Sequence, residues 1–217
     1  MAYDHEEQEQ LENMKAWWRS YGSLVTWVLI IVLAAYAGWS GWQSYQRNQA
    51  GKAAHLYEEF EQAIAAQDKD KVLRVAADME DKFSGTAYAQ MAALGAAKIA
   101  YDASDRDHAK AQLQWVVDHG KDGAYKAIAT VRLAGILLDE KAYDAGLKLL
   151  DGSFPEAFAA IVDDRKGDLL AAQNKLAQAR TAYQNALNKT EERDPARQLI
   201  QIKLDAIGGT AAAKAAA

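Results

Sequence analysis

The sequence of 217 residues contains no cysteine, which excludes disulfide bonds and thiolate metal sites. Proline is also scarce, with only Pro155 and Pro195, while alanine, leucine, glutamine, lysine and glutamate are common. This composition favours helices over strands. The net charge is −5 and acidic and basic residues are interspersed, so the basic surface of a nucleic-acid-binding protein is missing. We therefore expect an all-α protein that binds no nucleic acid.

One segment stands apart because residues 20–46 carry no charged side chain. The 22 residues 21–42 would form a helix of about 33 Å, enough to cross a hydrocarbon core of about 30 Å. Aromatic side chains, which prefer the lipid headgroup level, form one cluster at each end of this segment. The two clusters are Trp17, Trp18 and Tyr21, and Trp39, Trp42 and Tyr45. The pattern predicts a transmembrane helix over residues 20–45, after a short acidic tail of residues 1–19.

A buried core helix and a cleaved signal peptide are the alternatives for this segment. Residues 35–37, Ala-Tyr-Ala, have the small-x-small form of a cleavage site. The tail before them is long and acidic, however, whereas a signal peptide begins with a short basic region. We therefore favour an uncleaved anchor in contact with membrane lipid. Its orientation does not follow from charge, because Lys15 and Arg19 before the span are matched by Arg47 and Lys52 after it.

Beyond the span, apolar residues recur three and four positions apart, which is typical of amphipathic helices. The helical segments pair into four hairpins, and the clearest pair carries small residues at Gly167 and Ala179, with Tyr183 expected to fill the space between repeats. Equivalent positions in the four second helices are spaced by 37, 37 and 33 residues, close to the period of about 34 in tetratricopeptide repeats. These positions are Val72, Ala109, Gly146 and Ala179.

The repeat pattern predicts a tetratricopeptide-like solenoid of helical hairpins over residues 46–208. A final helix from Arg197 to Ile207 would cap the open end of the stack. Gly208 and Gly209 would end this helix, and the Ala-rich residues 209–217 are expected to form a flexible tail. An irregular helical bundle is the alternative arrangement.

Stacked hairpins leave a concave groove lined by their first helices, and we expect this groove to bind a peptide or a partner protein. Its central positions are unusually apolar, a property that suits loose binding of unfolded chains. The candidate groove residues are Met91, Leu94, Lys98, Tyr101, Ile128, Val131 and Leu138. The competing interpretation is that neighbouring helices bury these side chains.

A second candidate surface lies on the predicted span. Ala34, Gly38 and Gly41 form a face of small residues against which another transmembrane helix can approach closely. Simple contact with lipid is the alternative.

Catalytic motifs are missing from the sequence. The four histidines share no metal-ligand spacing, and neither a glycine-rich phosphate loop nor a G-x-S-x-G motif is present. We expect no enzymatic activity, no catalytic or metal-binding residues and no cofactor. If the protein were a hydrolase, His108 with a nearby carboxylate would be the candidate pair.

The layout as a whole resembles a known family. An acidic tail, a Trp-rich span, the segment Tyr45–Gln49 and a terminal repeat that begins at Arg165–Leu169 are similar to the YfgM-type ancillary subunit of the bacterial SecYEG translocon. The resemblance implies a single-pass inner-membrane protein with residues 1–19 in the cytoplasm and residues 46–208 in the periplasm. It further implies binding to SecYEG and to a PpiD-type periplasmic chaperone, contact with unfolded exported proteins, and assistance to newly exported envelope proteins. A cytoplasm-facing, membrane-tethered assembly scaffold unrelated to export is the alternative function.

Overall fold

The computed structural model describes the backbone of residues 3–208 and the side chains of residues 11–208. The predicted flexible tail of residues 209–217 lies outside the described residues. Residues 3–208 form nine α-helices and one short 3₁₀ helix (Glu156–Phe158) and contain no strand, which confirms the all-α prediction. The α-helices are α1 (Tyr3–Ala65), α2 (Lys69–Phe83), α3 (Ala87–Asp102), α4 (Arg106–His119), α5 (Gly123–Asp139), α6 (Tyr143–Leu150), α7 (Ala159–Ala172), α8 (Leu176–Lys189) and α9 (Pro195–Ala206).

The chain divides into two compact units, residues 1–49 and residues 50–217, and helix α1 contributes to both. Among the described residues, α1 is the one helix long and apolar enough to cross a membrane. Within the first unit the apolar side chains of residues 24–33 remain largely exposed; Trp27 and Ile31, for example, are each 63% exposed. So large an apolar surface is unfavourable in water and requires lipid or another apolar helix around it.

In the second unit, side-chain caps fix where several helices begin. An oxygen of the residue before the helix accepts a hydrogen bond from a backbone N–H of the first turn, a donor that otherwise has no helical partner. These caps are Asp68, Thr86, Asp105, Asp122 and Asp194. Asp194 caps helix α9, and Pro195 occupies its first helical position. The capping helix therefore begins two residues before Arg197, the predicted start.

The first helix of each hairpin ends in the same left-handed turn. The second residue after each helix has φ between 56° and 61°, and the next N–H bonds to a carbonyl five residues earlier, as in a Schellman motif. The four left-handed residues are Gln67, Ser104, Lys141 and Asn174. Their spacings of 37, 37 and 33 residues equal those predicted for the second helices, so the structure contains four related hairpins. The paired helices are the end of α1 with α2, α3 with α4, α5 with α6, and α7 with α8.

The core of the second unit is a chain of small clusters between successive hairpins. Phe60, Met79 and Val116 are among its largest fully buried side chains. Alanine supplies much of the remainder, particularly on α3 and α5, where small side chains let the helices approach closely. Gly146 serves the same purpose, because a Cβ there would lie only 2.9 Å from Leu169 Cδ2. Each hairpin therefore packs mainly on its neighbours, as a solenoid requires.

Candidate functional site

The predicted groove residues fall into two groups. Met91, Ile128 and Leu138 are half-buried, while Lys98 and Tyr101 are exposed. Leu94 and Val131 are only 7% and 4% exposed and belong to the hydrophobic core, so their prediction as groove residues is wrong. Neighbouring helices bury these two side chains, as the competing interpretation of the apolar pattern predicts. A partner protein cannot contact them without opening the fold.

A cavity of about 390 Å³ lies on the second unit where α3, α5 and α7 come together. Its floor is apolar and its edges are charged. The lining residues are Ala97, Lys98, Tyr101, Leu113, Arg132, Gly135, Ile136, Asp139 and Arg165. Two of the predicted groove residues, Lys98 and Tyr101, are therefore brought together here.

Arg132, Asp139 and Arg165 were missed by the sequence analysis because it looked for an apolar groove. The repeat register contains a signal that would have found two of them. Arg132 and Arg165 are 33 residues apart, the spacing that separates the third hairpin from the fourth. Side chains at equivalent positions of successive repeats face the same side of a solenoid. The two arginines are therefore a repeated feature of this surface.

Two polar contacts define the rim of the cavity on α3. The Tyr101 hydroxyl donates a hydrogen bond to Asp139 of α5 at 2.8 Å, and this bond with the nearby carboxylate charge raises the pKa of Tyr101. Lys98 pairs with Asp102 one turn further along its own helix, with Nζ 2.5 Å from the carboxylate. The first contact joins α3 to α5, the first helices of two successive hairpins. Both contacts are exposed, so each contributes little to stability.

A partly buried polar network joins α7, α8 and α9. The Tyr183 hydroxyl donates to Asp168 at 2.8 Å, and the Lys203 ammonium lies 2.8–2.9 Å from both oxygens of Asp164. Lys203 also contacts Asp168 at 2.9 Å. Burial raises the pKa of Asp164, against the effect of the Lys203 charge, and raises that of Tyr183. The carboxylates therefore fasten the capping helix to the last hairpin.

The histidine considered for a hydrolase lies at the surface. His108 Nδ1 is 2.9 Å from both oxygens of Asp105, but its side chain is 61% exposed and does not line the cavity. Asp105 is the cap of α4, and its bonds to Lys69 and His108 lower its pKa. The pair thus has a structural explanation in helix capping.

The small face predicted on the span is exposed within the first unit. Ala34, Gly38 and Gly41 follow one another along one side of α1, and a Cβ at Gly38 or Gly41 would have no atom within 4 Å among the described residues. This face has the room that a second helix would need. Its role in helix packing stays a prediction.

Comparison with known proteins covers both the apolar span and the repeats. A family model described as a tetratricopeptide repeat-like domain matches residues 15–209. A protein of Neisseria gonorrhoeae named ancillary SecYEG translocon subunit is 33% identical over 95% of this chain and 100% of its own length. Proteins with the same name from Aggregatibacter actinomycetemcomitans and Escherichia coli are 28% and 31% identical, over 94% and 54% of this chain and 99% and 57% of their own lengths.

Proposed function

The chain belongs to the tetratricopeptide repeat-like family of ancillary SecYEG translocon subunits, and on this premise we propose that it is a non-enzymatic, membrane-anchored interaction module of the translocon. The similarity to the Neisseria gonorrhoeae subunit over 95% of the chain carries the proposal, because it includes the span as well as the repeats. The alanine-rich hairpins and their concave face suit contact with other proteins. We infer the partner, SecYEG, from the name of the relatives, and the kind of contact, protein with protein, from the fold.

The mechanism that we propose is positioning. The predicted span of residues 20–45 holds the chain in the bacterial inner membrane beside the export channel. A binding surface that is tethered near its partner acts at a raised effective concentration, so individual contacts need not be strong. The mostly exposed charged and polar rim of the cavity, with weak individual contacts, suits such transient binding.

We place residues 1–19 in the cytoplasm and residues 46–208 in the periplasm, following the family resemblance. In this placement the concave face meets a PpiD-type chaperone and unfolded exported proteins, and the protein assists newly exported envelope proteins. Protease added to spheroplasts tests the placement. We expect digestion of the repeat domain without lysis. Digestion that occurs only after lysis would favour the cytoplasm-facing scaffold.

Site-specific crosslinking in intact cells tests the proposed surface. A photoreactive amino acid at Lys98 or Tyr101, both exposed on the concave side, is expected to capture the translocon or a periplasmic chaperone. The matched control is Ala111, which is exposed on the second helix of the same hairpin, α4. Equal capture from Ala111 would show that the concave face has no special role.

The small-residue face of the span is the second proposed interface. Replacing Gly38 and Gly41 with leucine enlarges this face without adding charge. We expect recovery of SecYEG with the purified chain to fall, while Val28→Leu, a matched change between apolar side chains in the same span, leaves recovery unchanged. If the leucine variants recover as much SecYEG as the unaltered chain, this face contacts lipid and not another helix.

A further inference from the structure

Positive charge is concentrated at the cavity between α3, α5 and α7. Lys98, Arg132 and Arg165 line it, and Asp139 is the one acidic residue among its lining residues. Asp102 pairs with Lys98 and Asp168 pairs with Arg165, so Arg132 is the lining cation that forms no ion pair among residues 11–208. An arginine without an ion pair at the edge of a cavity attracts an anionic group.

The arginines have hydrogen-bonding capacity to spare. The Nε atom of Arg165 is buried and has no hydrogen-bond partner among residues 11–208, although Nη1 lies 3.2 Å from Asp168. Arg132 is exposed and forms no ion pair within the same range. Nε is too buried for a ligand to reach, but the exposed guanidinium group of Arg132 can donate to an acceptor that enters the cavity. Guanidinium groups bind carboxylates most strongly among the acceptors that a protein offers.

The cavity of about 390 Å³ has space for such a group beside Arg165. Gly135 packs against the face of the guanidinium group, because a Cβ at position 135 would lie 3.5 Å from Arg165 Cζ, in van der Waals contact. A carboxylate would therefore approach the edge of the guanidinium group, where the N–H groups donate. Below it, Ala97, Leu113 and Ile136 contribute the small remaining surface of otherwise buried side chains. The floor therefore accepts an apolar group next to the charged one.

We propose that this cavity binds the side-chain carboxylate of an aspartate or glutamate within an extended segment of a partner protein, with an adjacent apolar side chain on its floor. The inference rests on the proposed function in that the partner is a protein. Half-buried Met91 and Ile128 continue the same faces of α3 and α5 past the cavity, so the bound segment can extend over them.

Calorimetric titration of the full-length chain in detergent micelles tests the proposal. The probes are an acetylated and amidated peptide, Gly-Ser-Leu-Glu-Leu-Ser-Gly, and its counterpart with glutamine in place of glutamate. We expect the glutamate peptide to bind about tenfold more tightly, as a charge-assisted pair in a partly dry site allows. Salt is expected to weaken the glutamate peptide more than the glutamine peptide.

Arg132→Gln is expected to remove most of the preference for glutamate. Its exposed side chain makes no ion pair within residues 11–208, so the fold should be retained. Arg74→Gln, an exposed arginine on α2 that does not line the cavity, is the matched control and keeps the preference. Arg165→Gln is a second test, with circular dichroism to verify its fold.

Three results would overturn the inference: equal binding of the two peptides, an equal preference in Arg132→Gln and Arg74→Gln, or tighter binding of the glutamine peptide when its terminal carboxylate is left free. Copurification of SecYEG with the unaltered chain tests the proposed function separately. Recovery of SecYEG together with any of these three results would refute the carboxylate site alone.

Discussion

The ring of Tyr183 lies directly against Gly167, so closely that a Cβ at position 167 would fall 2.8 Å from the ring Cζ atom. Tyr183 is 3% exposed, and its hydroxyl donates to Asp168, the neighbour of that glycine. The aromatic ring therefore occupies the volume that any larger residue at 167 would need. Two residues from facing helices thus set the spacing of the last hairpin.

Gly167→Ala is expected to destabilise the protein. The new methyl group would force α7 and α8 apart or turn the buried ring, which costs about 1–3 kcal/mol and outweighs the helix preference of alanine. Gly51→Ala is the control, because a Cβ at Gly51 of α1 meets no atom within 4 Å. Urea unfolding of the chain in detergent should show a loss for the first variant and a small gain for the second. Equal changes would contradict the steric account.

Glu80 on α2 is expected to make stability depend on pH. Burial raises its pKa to about 7, although Gln112 and His119 act in the other direction. Glu80 Oε1 and Gln112 Oε1 are both buried without a hydrogen-bond partner among residues 11–208, which suits a protonated carboxyl. The folded state thus holds its proton at a pH where the unfolded state has released it. The free energy of unfolding should therefore fall as the pH rises from about 4.5 to just above 7.

Glu80→Gln tests this contribution, because the amide keeps the shape and cannot ionise. Relative to the unaltered chain, the variant should be similarly stable at about pH 5 and more stable at about pH 8. Urea unfolding at the two pH values measures the difference. A stability difference that is the same at both values would show that Glu80 does not titrate as described.

Lys203→Met is expected to loosen the capping helix. It leaves Asp164 and Asp168 close together without the ammonium group that they share, at a cost of about 2 kcal/mol or more. Hydrogen exchange should accelerate first in α9. Lys148→Met, an exposed lysine of α6, is the control, and Asp164→Asn added to Lys203→Met should restore part of the loss. Unchanged exchange in α9 would mean that apolar packing alone holds this helix.

Lys141→Gly is expected to stabilise the protein by about 1 kcal/mol, because Lys141 has φ 61° and glycine adopts this left-handed conformation without a Cβ penalty. The same change at Lys148, inside helix α6, should instead destabilise it by about 1 kcal/mol. Thermal unfolding of both variants gives the comparison. A loss of stability in Lys141→Gly would indicate that the lysine side chain itself stabilises the folded state by more than its left-handed backbone costs.

Much of the fold was predictable because helical spacing and hairpin period are properties of the sequence. The turns recur at the predicted period even though none of the four left-handed residues is glycine, the usual signal for this conformation. The groove was less predictable. On helix α3, Leu94 and Lys98 are one turn apart and lie on nearly the same face, so periodicity could not separate Leu94, which faces the core, from Lys98, which faces the cavity.

The binding chemistry of the cavity was missed for a different reason. Arginines at the surface of a helix are usually solvated, and one sequence does not distinguish these from arginines that converge on a cavity. Arg132 and Arg165 belong to different hairpins, and only the stacking of the repeats brings them together. The repeat register would have placed them on the same face, but not at the same cavity.

The shared turn geometry makes the turns of the first two hairpins equivalent. Gln67 and Ser104 have the same left-handed conformation, and each is followed by an aspartate that caps the next helix, Asp68 or Asp105. Excision of residues 68–104 would join Gln67 to Asp105 and reproduce the original turn at the junction. A solenoid with equivalent turns can gain or lose one whole repeat during evolution, because the new junction has the same left-handed residue and the same helix cap as the turn it replaces.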